Sequence, residues 1–303
     1  MKKLTGFLLA ILAAAIFAIL FTSCDKEEPG VYKPKKKISK IFEVNTVVVT
    51  NGDEWWEENV ERLVEDWEWD GSKVASITYY WSDGEIDGKE EYIYEGDRLV
   101  KIQCDSGYYV EYSYLDKKFD KIKFYNPAGI LELELVFQYN KEKVSAITFH
   151  FYDDDMDKSV IRMIERGFVG KLISKEGVKI VSKKIATQSK DSFVMNFSYE
   201  GDNVSLITDG EYTLTFSNYD ARTNIYFNFY PLRVYELTYD TSIFSKNNPG
   251  KSILRDGSTF ERVTTNTYTY DGKFPLTIQS HVVHNEGNDF NYEFTFTTRF
   301  EYK

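Results

Sequence analysis

Tyr92-Ile93-Tyr94-Glu95-Gly96-Asp97-Arg98-Leu99-Val100-Lys101-Ile102 decides how this chain is read. The stretch holds two aromatics one residue apart, four residues centred on Gly-Asp, an apolar residue, two more residues and an Ile. Alternate side chains of a strand share a face, so Tyr92 and Tyr94 point the same way. Gly and Asp supply the positive φ of a tight turn. The stretch is therefore a β-hairpin whose return strand brings Leu99 and Ile102 back to the aromatic face.

The same frame recurs along the chain. Trp67-Glu68-Trp69 leads to Val74 and Ile77, Tyr112-Ser113-Tyr114 to Phe119 and Ile122, Phe137-Gln138-Tyr139 to Val144 and Ile147, and Phe197-Ser198-Tyr199 to Val204 and Ile207. A further copy, Tyr268-Thr269-Tyr270 with Ile278, carries Phe274-Pro275 where the apolar residue belongs. Between Tyr139 and Tyr199, and again after Ile207, the frame degenerates. Leu131, Leu133, Leu135, Phe137 and Tyr139 line one face of a strand, with Glu132, Glu134 and Gln138 opposite. Tyr292, Phe294, Phe296, Phe300 and Tyr302 line another. Such alternation predicts one core face and one wet face.

The expected fold class is all-β: a single long antiparallel meander sheet, curled into an open or closed barrel-like body. A flat sheet of a dozen or more strands would leave its aromatic face in water. Aromatics are 17% of the residues, as β structure favours. Helix is scarce: Ser159–Arg166 fits a short helix or a strand, and the stripe Trp56, Val60, Leu63, Trp67 is assigned to strand because Trp67 opens a repeat. With 48 acidic against 37 basic residues and a net charge of −11, nucleic acid is excluded as a partner.

The N-terminus reads as an address. Lys2 and Lys3 precede an apolar run from Leu4 to Phe21, then Thr22-Ser23-Cys24 and the polar run Asp25-Lys26-Glu27-Glu28. A lone Cys at the switch from apolar to polar, after two small residues, resembles a bacterial lipobox. The resemblance implies a signal peptide over 1–23, lipid attachment at Cys24, and membrane association through that anchor. Asp25-Lys26-Glu27-Glu28 resembles the surface-export signal of Bacteroidetes lipoproteins, which implies an outer-membrane lipoprotein facing the cell exterior. Residues 24–40 then form the lipidated Cys and a flexible tether, and 41–303 the β-repeat domain. Cys104, the other Cys, is expected as a small buried hydrophobe on a strand.

The frame of Tyr92–Ile102 resembles the YD repeats of Rhs-type surface proteins. Ser245-Lys246-Asn247-Asn248-Pro249 followed by Tyr268-Thr269-Tyr270-Asp271-Gly272-Lys273-Phe274-Pro275 resembles a Bacteroidetes surface lipoprotein family, a domain of unknown function with a porin-like fold. That resemblance covers 41–303 and implies the fold; it carries no catalytic or binding residue with it. A membrane-spanning barrel has the same alternation with its apolar face outward. The lipoprotein signal and the terminal Lys303 favour a soluble, tethered body.

Motifs that would carry chemistry are few. His281 and His284 stand three apart, so on a strand they point to opposite faces and do not share a metal. Asp153, Asp155 and Asp157 imitate a calcium loop, but Lys158 replaces the needed Gly and Ile164 the closing Glu. No phosphate loop, dinucleotide fingerprint, Gly-x-Ser-x-Gly or His-Glu-x-x-His occurs, so no cofactor, metal or catalytic residue is assigned. Trp55, Trp56 and Trp81 are the candidate ligand-binding residues, as rings for stacking on a sugar; cross-strand aromatic packing is the alternative. The expected function is a surface lipoprotein acting as a non-enzymatic binding module for a glycan, peptide or envelope partner. Two alternatives stand beside it: a structural YD-like β-shell without a small ligand, and a hydrolase with an unrecognised carboxylate pair.

Overall fold

The computed structural model describes residues 32, 34–50, 53–55, 60–81, 83–152, 192–227, 244–256, 260–286 and 290–303. All its regular structure is strand: β1 (Ile38–Thr50), β2 (Asp53–Trp55), β3 (Glu61–Asp70), β4 (Lys73–Tyr80), β5 (Ile86–Glu95), β6 (Arg98–Cys104), β7 (Tyr109–Leu115), β8 (Lys118–Tyr125), β9 (Leu131–Asn140), β10 (Lys143–Phe151), β11 (Phe193–Glu200), β12 (Asn203–Thr208), β13 (Tyr212–Ser217), β14 (Lys251–Asp256), β15 (Phe260–Asp271), β16 (Phe274–Glu286) and β17 (Phe290–Tyr302). β2 and β3 both pair antiparallel with β1, each strand from β3 onward pairs antiparallel with the next, and β17 returns to pair with β1, so the sheet closes. Because β2 and β3 lie one after the other along β1, the wall has 16 staves. An even number is what an antiparallel meander needs in order to close.

The frame has a mechanical explanation that its spacing only hints at. Residues three apart on a regular strand face opposite ways, yet Leu99 and Ile102 are 1% and 0% exposed. The register supplies the reason: Tyr92 faces Ile102, Ile93 faces Lys101, and Tyr94 faces Leu99, leaving Val100 unmatched as a β-bulge. The same slip follows Glu68, Ser113, Ser198 and Thr269, and separates Val144 from Ala146. Pro275 takes the apolar position of its copy, opposite Tyr270, beside the bulge where a missing N–H is tolerated. Gly71, Gly96, Gly201 and Gly272 hold the left-handed turn position at φ of 55° to 61°, which Asp116 and Lys141 occupy at 57°.

Barrel closure uses the frame once more. Phe300 and Tyr302 of β17 face Ile41 and Ile38 of β1, with a register slip between Ile38 and Lys40. This is the pairing of Tyr92 and Tyr94 with Ile102 and Leu99, split between the two ends of the chain. Neighbouring copies are also tied together. Trp69 Nε1 donates to the Ile38 carbonyl at 2.7 Å, the Tyr114 hydroxyl to Leu99 at 2.7 Å, and the Tyr302 hydroxyl to Pro275 at 2.6 Å. Lys37, Lys118 and Lys143 lie over the rings of Trp69, Tyr139 and Tyr199 and donate to the turn carbonyls of Gly71, Lys141 and Gly201.

The aromatic face is buried around the wall: Ile41, Trp67, Ile77, Ile102 and Ile147 are at 0% exposure, and Phe197 is at 7%. On a closed barrel of one chain, side chains buried all the way round must point inward. The inside of β3 to β12 is therefore mainly apolar, with Glu65 and Glu90 buried in it, whereas the inner side of β15 to β17 carries Arg262, Ser280, His284 and Thr298 among its buried residues. Residues 219–227 and 244–250, from the connection between β13 and β14, pack on this inner face. Tyr226 lies 6.0 Å from the Phe300 ring, Phe244 lies 5.2 Å from the Phe197 ring, and the Val204 N–H donates to Ser245 at 3.0 Å.

Several expectations change in detail. The body starts at Ile38, inside the stretch assigned to the tether, because Ile38 is itself fully buried in the closing copy. Glu132 and Glu134, expected on a wet face, are 1% and 6% exposed. They do face outward, but Lys121, Lys123 and Tyr152 of the flanking strands close over Glu134. Cys104 is buried on β6, as expected. His281 is partly exposed and His284 buried, on opposite faces of β16. Ser159–Arg166 and the triplet Asp153, Asp155, Asp157 lie outside the described residues.

Candidate functional site

The barrel has two unlike ends. The tight turns at 71–72, 96–97, 116–117, 141–142, 201–202 and 272–273 share one end with the start of β1 and the finish of β17. We call this the turn end. The described connections 83–85, 105–108, 126–130 and 209–211, with Val60, Trp81, Tyr152 and Ser192 at strand ends, form the opposite, loop end. Among the described residues, most exposed large apolar side chains gather at the loop end: Val60 (44%), Trp81 (54%), Ile86 (62%), Ile130 (56%), Tyr152 (53%) and Val194 (38%). They follow one another around the rim from β3 to β11. Isolated surface apolar residues need no explanation, but a run along one rim does.

Below this rim, the outer wall of β7 to β10 carries a band of tyrosines. Tyr109 and Tyr125 face each other across β7 and β8, their rings stacked at 4.7 Å and 12°. The Lys101 ammonium sits 4.0 Å from the centre of the Tyr109 ring. On the far side of β9, the Tyr152 hydroxyl donates to Glu134 at 3.4 Å, and Lys121 and Lys123 approach the same carboxylate at 3.3 and 3.7 Å. Burial, then the Glu111 carboxylate, raises the Tyr125 pKa; burial, then Glu134, raises that of Tyr152. Both hydroxyls therefore stay protonated at neutral pH.

The loop beside the band is preorganised. Asn126 Oδ1 accepts the N–H groups of Ala128 and Ile130, both at 3.0 Å, while Asn126 Nδ2 donates to Glu132 at 2.8 Å. Gly129, at φ 77°, completes the turn and leaves room beside the Tyr109 hydroxyl. Ile130 is thus held out at the rim by a defined turn.

Of the tryptophans singled out in the sequence, Trp81 stands exposed at the rim, where its N–H and carbonyl bracket the turn through Glu85 and Gly84. Trp55 ends β2 with its backbone paired to Val48, also at the loop end, and Trp56 lies outside the described residues. Sequence reading passed over Tyr109, Tyr125 and Tyr152. They sit in the polar phase of their strands, in step with Glu111, Lys123 and His150, and an aromatic in that phase is a usable signal.

The buried carboxylates of Glu65, Glu90, Glu132 and Glu134 have structural partners. Glu90, inside the wall, accepts the hydroxyls of Tyr92 at 2.7 Å and Tyr79 at 3.0 Å, and Glu65 accepts Trp67 Nε1 at 2.8 Å. Glu132 orients Asn126, and Glu134 binds two lysines. Among the described residues no group of His, Cys, Asp and Glu is arranged to hold a metal ion.

No protein-family model matches the chain, and no curated protein matches it. Among solved structures, it resembles a porin-like protein from Bacteroides uniformis, with a TM-score of 0.52 and 15% identity over 91% of this chain and 100% of that one. A porin-like protein from Bacteroides vulgatus aligns with a TM-score of 0.43 and 12% identity over 89% and 99%. The first likeness shows the fold. The porin-like architecture implied by the sequence resemblance is thereby supported, whereas the likeness to YD repeats rests on the motif alone.

Proposed function

We propose that this chain is a cell-envelope lipoprotein, displayed at the cell surface through Cys24, that acts as a non-enzymatic binding module. The observation carrying this reading is the run of exposed apolar side chains on the rim opposite the chain termini. An anchor at Cys24 attaches to the turn end, so this rim would be the part farthest from the membrane. A glycan fits this region best: the exposed Trp81 and Tyr152 rings offer faces for the apolar side of a sugar, and Glu111 with the hydroxyls at the edge of the Tyr109–Tyr125 stack offers hydrogen bonds beside them. A polyanionic ligand is disfavoured by the net charge of −11. Outward charges such as Glu91, Lys101, Glu111 and Lys121 support a body in water, since basic residues facing a bilayer midplane cost about 2–4 kcal/mol each.

Screening a panel of neutral and amino-sugar oligosaccharides against the chain and its Trp81→Ala/Tyr109→Ala variant tests the proposal. The expected result is binding of at least one glycan, weakened about tenfold or more in the variant at unchanged melting temperature. Binding untouched by the double substitution would remove the rim and band as the site. Capture of a peptide or an envelope protein instead would keep the module and change its ligand class. Independently, Cys24→Ser should abolish lipid labelling and release the protein from membranes; retention after a high-salt wash would show that residues 4–21 themselves anchor it.

A further inference from the structure

We propose that the turn end is a second interaction surface, which lies against the phosphate groups of anionic membrane lipid. The inference rests on reading Cys24 as the anchored residue, and three observations carry it. First, the chain is fixed to the barrel soon after Cys24. The Tyr32 ring lies 6.2 Å from Trp69 and its hydroxyl donates to Ile225 at 3.4 Å, while Lys36 pairs with Asp271 and Lys37 with the Gly71 carbonyl. Tyr32 follows Cys24 by eight residues, a length of chain that cannot exceed about 29 Å, so the turn end cannot travel far from its anchor.

Second, Lys33, Lys35, Lys36, Lys37 and Lys40 crowd into eight residues of this entry and, with Lys26, outnumber Asp25, Glu27 and Glu28 beside the anchor, although Lys36 pairs with Asp271 and Lys40 lies 3.8 Å from Asp66. Turn acids offset several of the cations that ring the same end, Asp97 approaching Lys73 at 3.7 Å and Glu142 approaching Lys118 at 3.3 Å. Lys35, Lys141 and Lys273 add charge beyond those pairs. A lysine cluster beside a membrane anchor is attracted to anionic headgroups. Third, the described connections of the loop end carry the opposite sign, with Asp83, Glu85, Asp105, Asp209 and Glu211 and no Lys or Arg. Strands of six to thirteen residues separate the two ends. That is about 20 Å or more, beyond the Debye length of about 8 Å at physiological salt. A membrane would therefore sense the local charge of the turn end and not the net −11. Docking by this face would stand the barrel upright and aim the rim outward.

Co-sedimentation of residues 25–303, which include every described residue, with vesicles of phosphatidylcholine alone or with about a third phosphatidylglycerol tests this without any lipid on the protein. Binding should require the anionic lipid at low salt and fall about tenfold or more in half-molar salt. Lys33→Glu/Lys35→Glu/Lys273→Glu should remove it, while Asp83→Asn/Glu85→Gln at the rim should leave it intact, with circular dichroism confirming that both fold. Equal sedimentation with neutral vesicles, no sedimentation with anionic ones, or full binding by the charge-reversed variant would overturn the proposal. Because the probe bears no acyl chain, these results are independent of the Cys24→Ser experiment, and either reading can fail without the other.

Discussion

The hairpin of β5 and β6 and the seam between β17 and β1 make the same contacts by different routes. In the hairpin, Tyr92 and Tyr94 meet Ile102 and Leu99 across a two-residue turn. In the seam, Phe300 and Tyr302 meet Ile41 and Ile38 with no turn at all. The repeat is therefore a rule for pairing two strand faces around a bulge, and the Gly-Asp turn is only its commonest connector. Joining the chain ends instead of neighbouring residues costs about 3–4 kcal/mol more in closure entropy by the logarithmic law. The seam offsets this with a longer ladder, ten aligned pairs against six. It also has an outer clasp that the hairpin lacks, in which Arg299 reaches across Phe42 to Glu61 on β3.

The largest effect should come from breaking the seam altogether. A chain beginning at Phe42 lacks Ile38 and Ile41 and leaves Phe300 and Tyr302 without their partners. We expect it to lose cooperative unfolding in chemical denaturation. A circular permutant that joins Lys303 to Lys37 through a Gly-Asp turn and opens the chain at Ser82 turns the seam into a hairpin and should fold with native strand content. A stable, cooperatively unfolding truncation would mean that the barrel tolerates an open edge, and that the seam is not equivalent to a hairpin.

Single substitutions sharpen the comparison. Tyr92 and Phe300 hold the same place in their copies, at 6% and 2% exposure. Tyr92→Ala and Phe300→Ala should each cost about 3–5 kcal/mol, as large-to-small core changes do. Urea denaturation reads both. A loss at Phe300 well below that at Tyr92 would show that the seam is packed more loosely than the internal copies.

How much of this was open to sequence reading follows from where the partners lie. The frame, its turns and the inward aromatic face were legible because every hairpin copy is contiguous. The closing copy was not, although Phe300 and Tyr302 share a face by simple alternation, because its second half sits at the other end of the chain. The bulge was visible in principle: an apolar residue and an Ile three apart cannot share a face of a regular strand. Glu134 was misjudged because its cover comes from Lys121, Lys123 and Tyr152 on neighbouring strands, and register decides such neighbours. At the candidate site, Trp81 was legible as an aromatic in a turn, whereas Tyr109 and Tyr125 become a pair only once β7 and β8 are aligned.

The smallest effect concerns the clasp. Arg299 donates from Nε and Nη2 to the two oxygens of Glu61, both at 2.7 Å, with its guanidinium 4.0 Å from the Phe42 ring. That hydrogen bonding holds the Glu61 carboxyl below the ordinary carboxylate range, against a smaller opposing effect of burial and with help from the charge of Arg299. A depressed carboxylate stabilises the fold above its unfolded pKa of about 4.3, and the contribution disappears as pH falls through the folded value. Glu61 is 42% exposed and Arg299 30%, so solvent screens the pair and its worth is at most about 1 kcal/mol. Glu61→Gln should therefore be slightly less stable than the parent at pH 7, by about 0.5 kcal/mol, with the gap closing below about pH 4 and in molar salt. A gap that persists at low pH would assign the effect to shape at Phe42 and not to charge. A gap several times larger would make the clasp, and not strand pairing, the reason the seam holds; the equivalence of seam and hairpin would then be one of geometry alone.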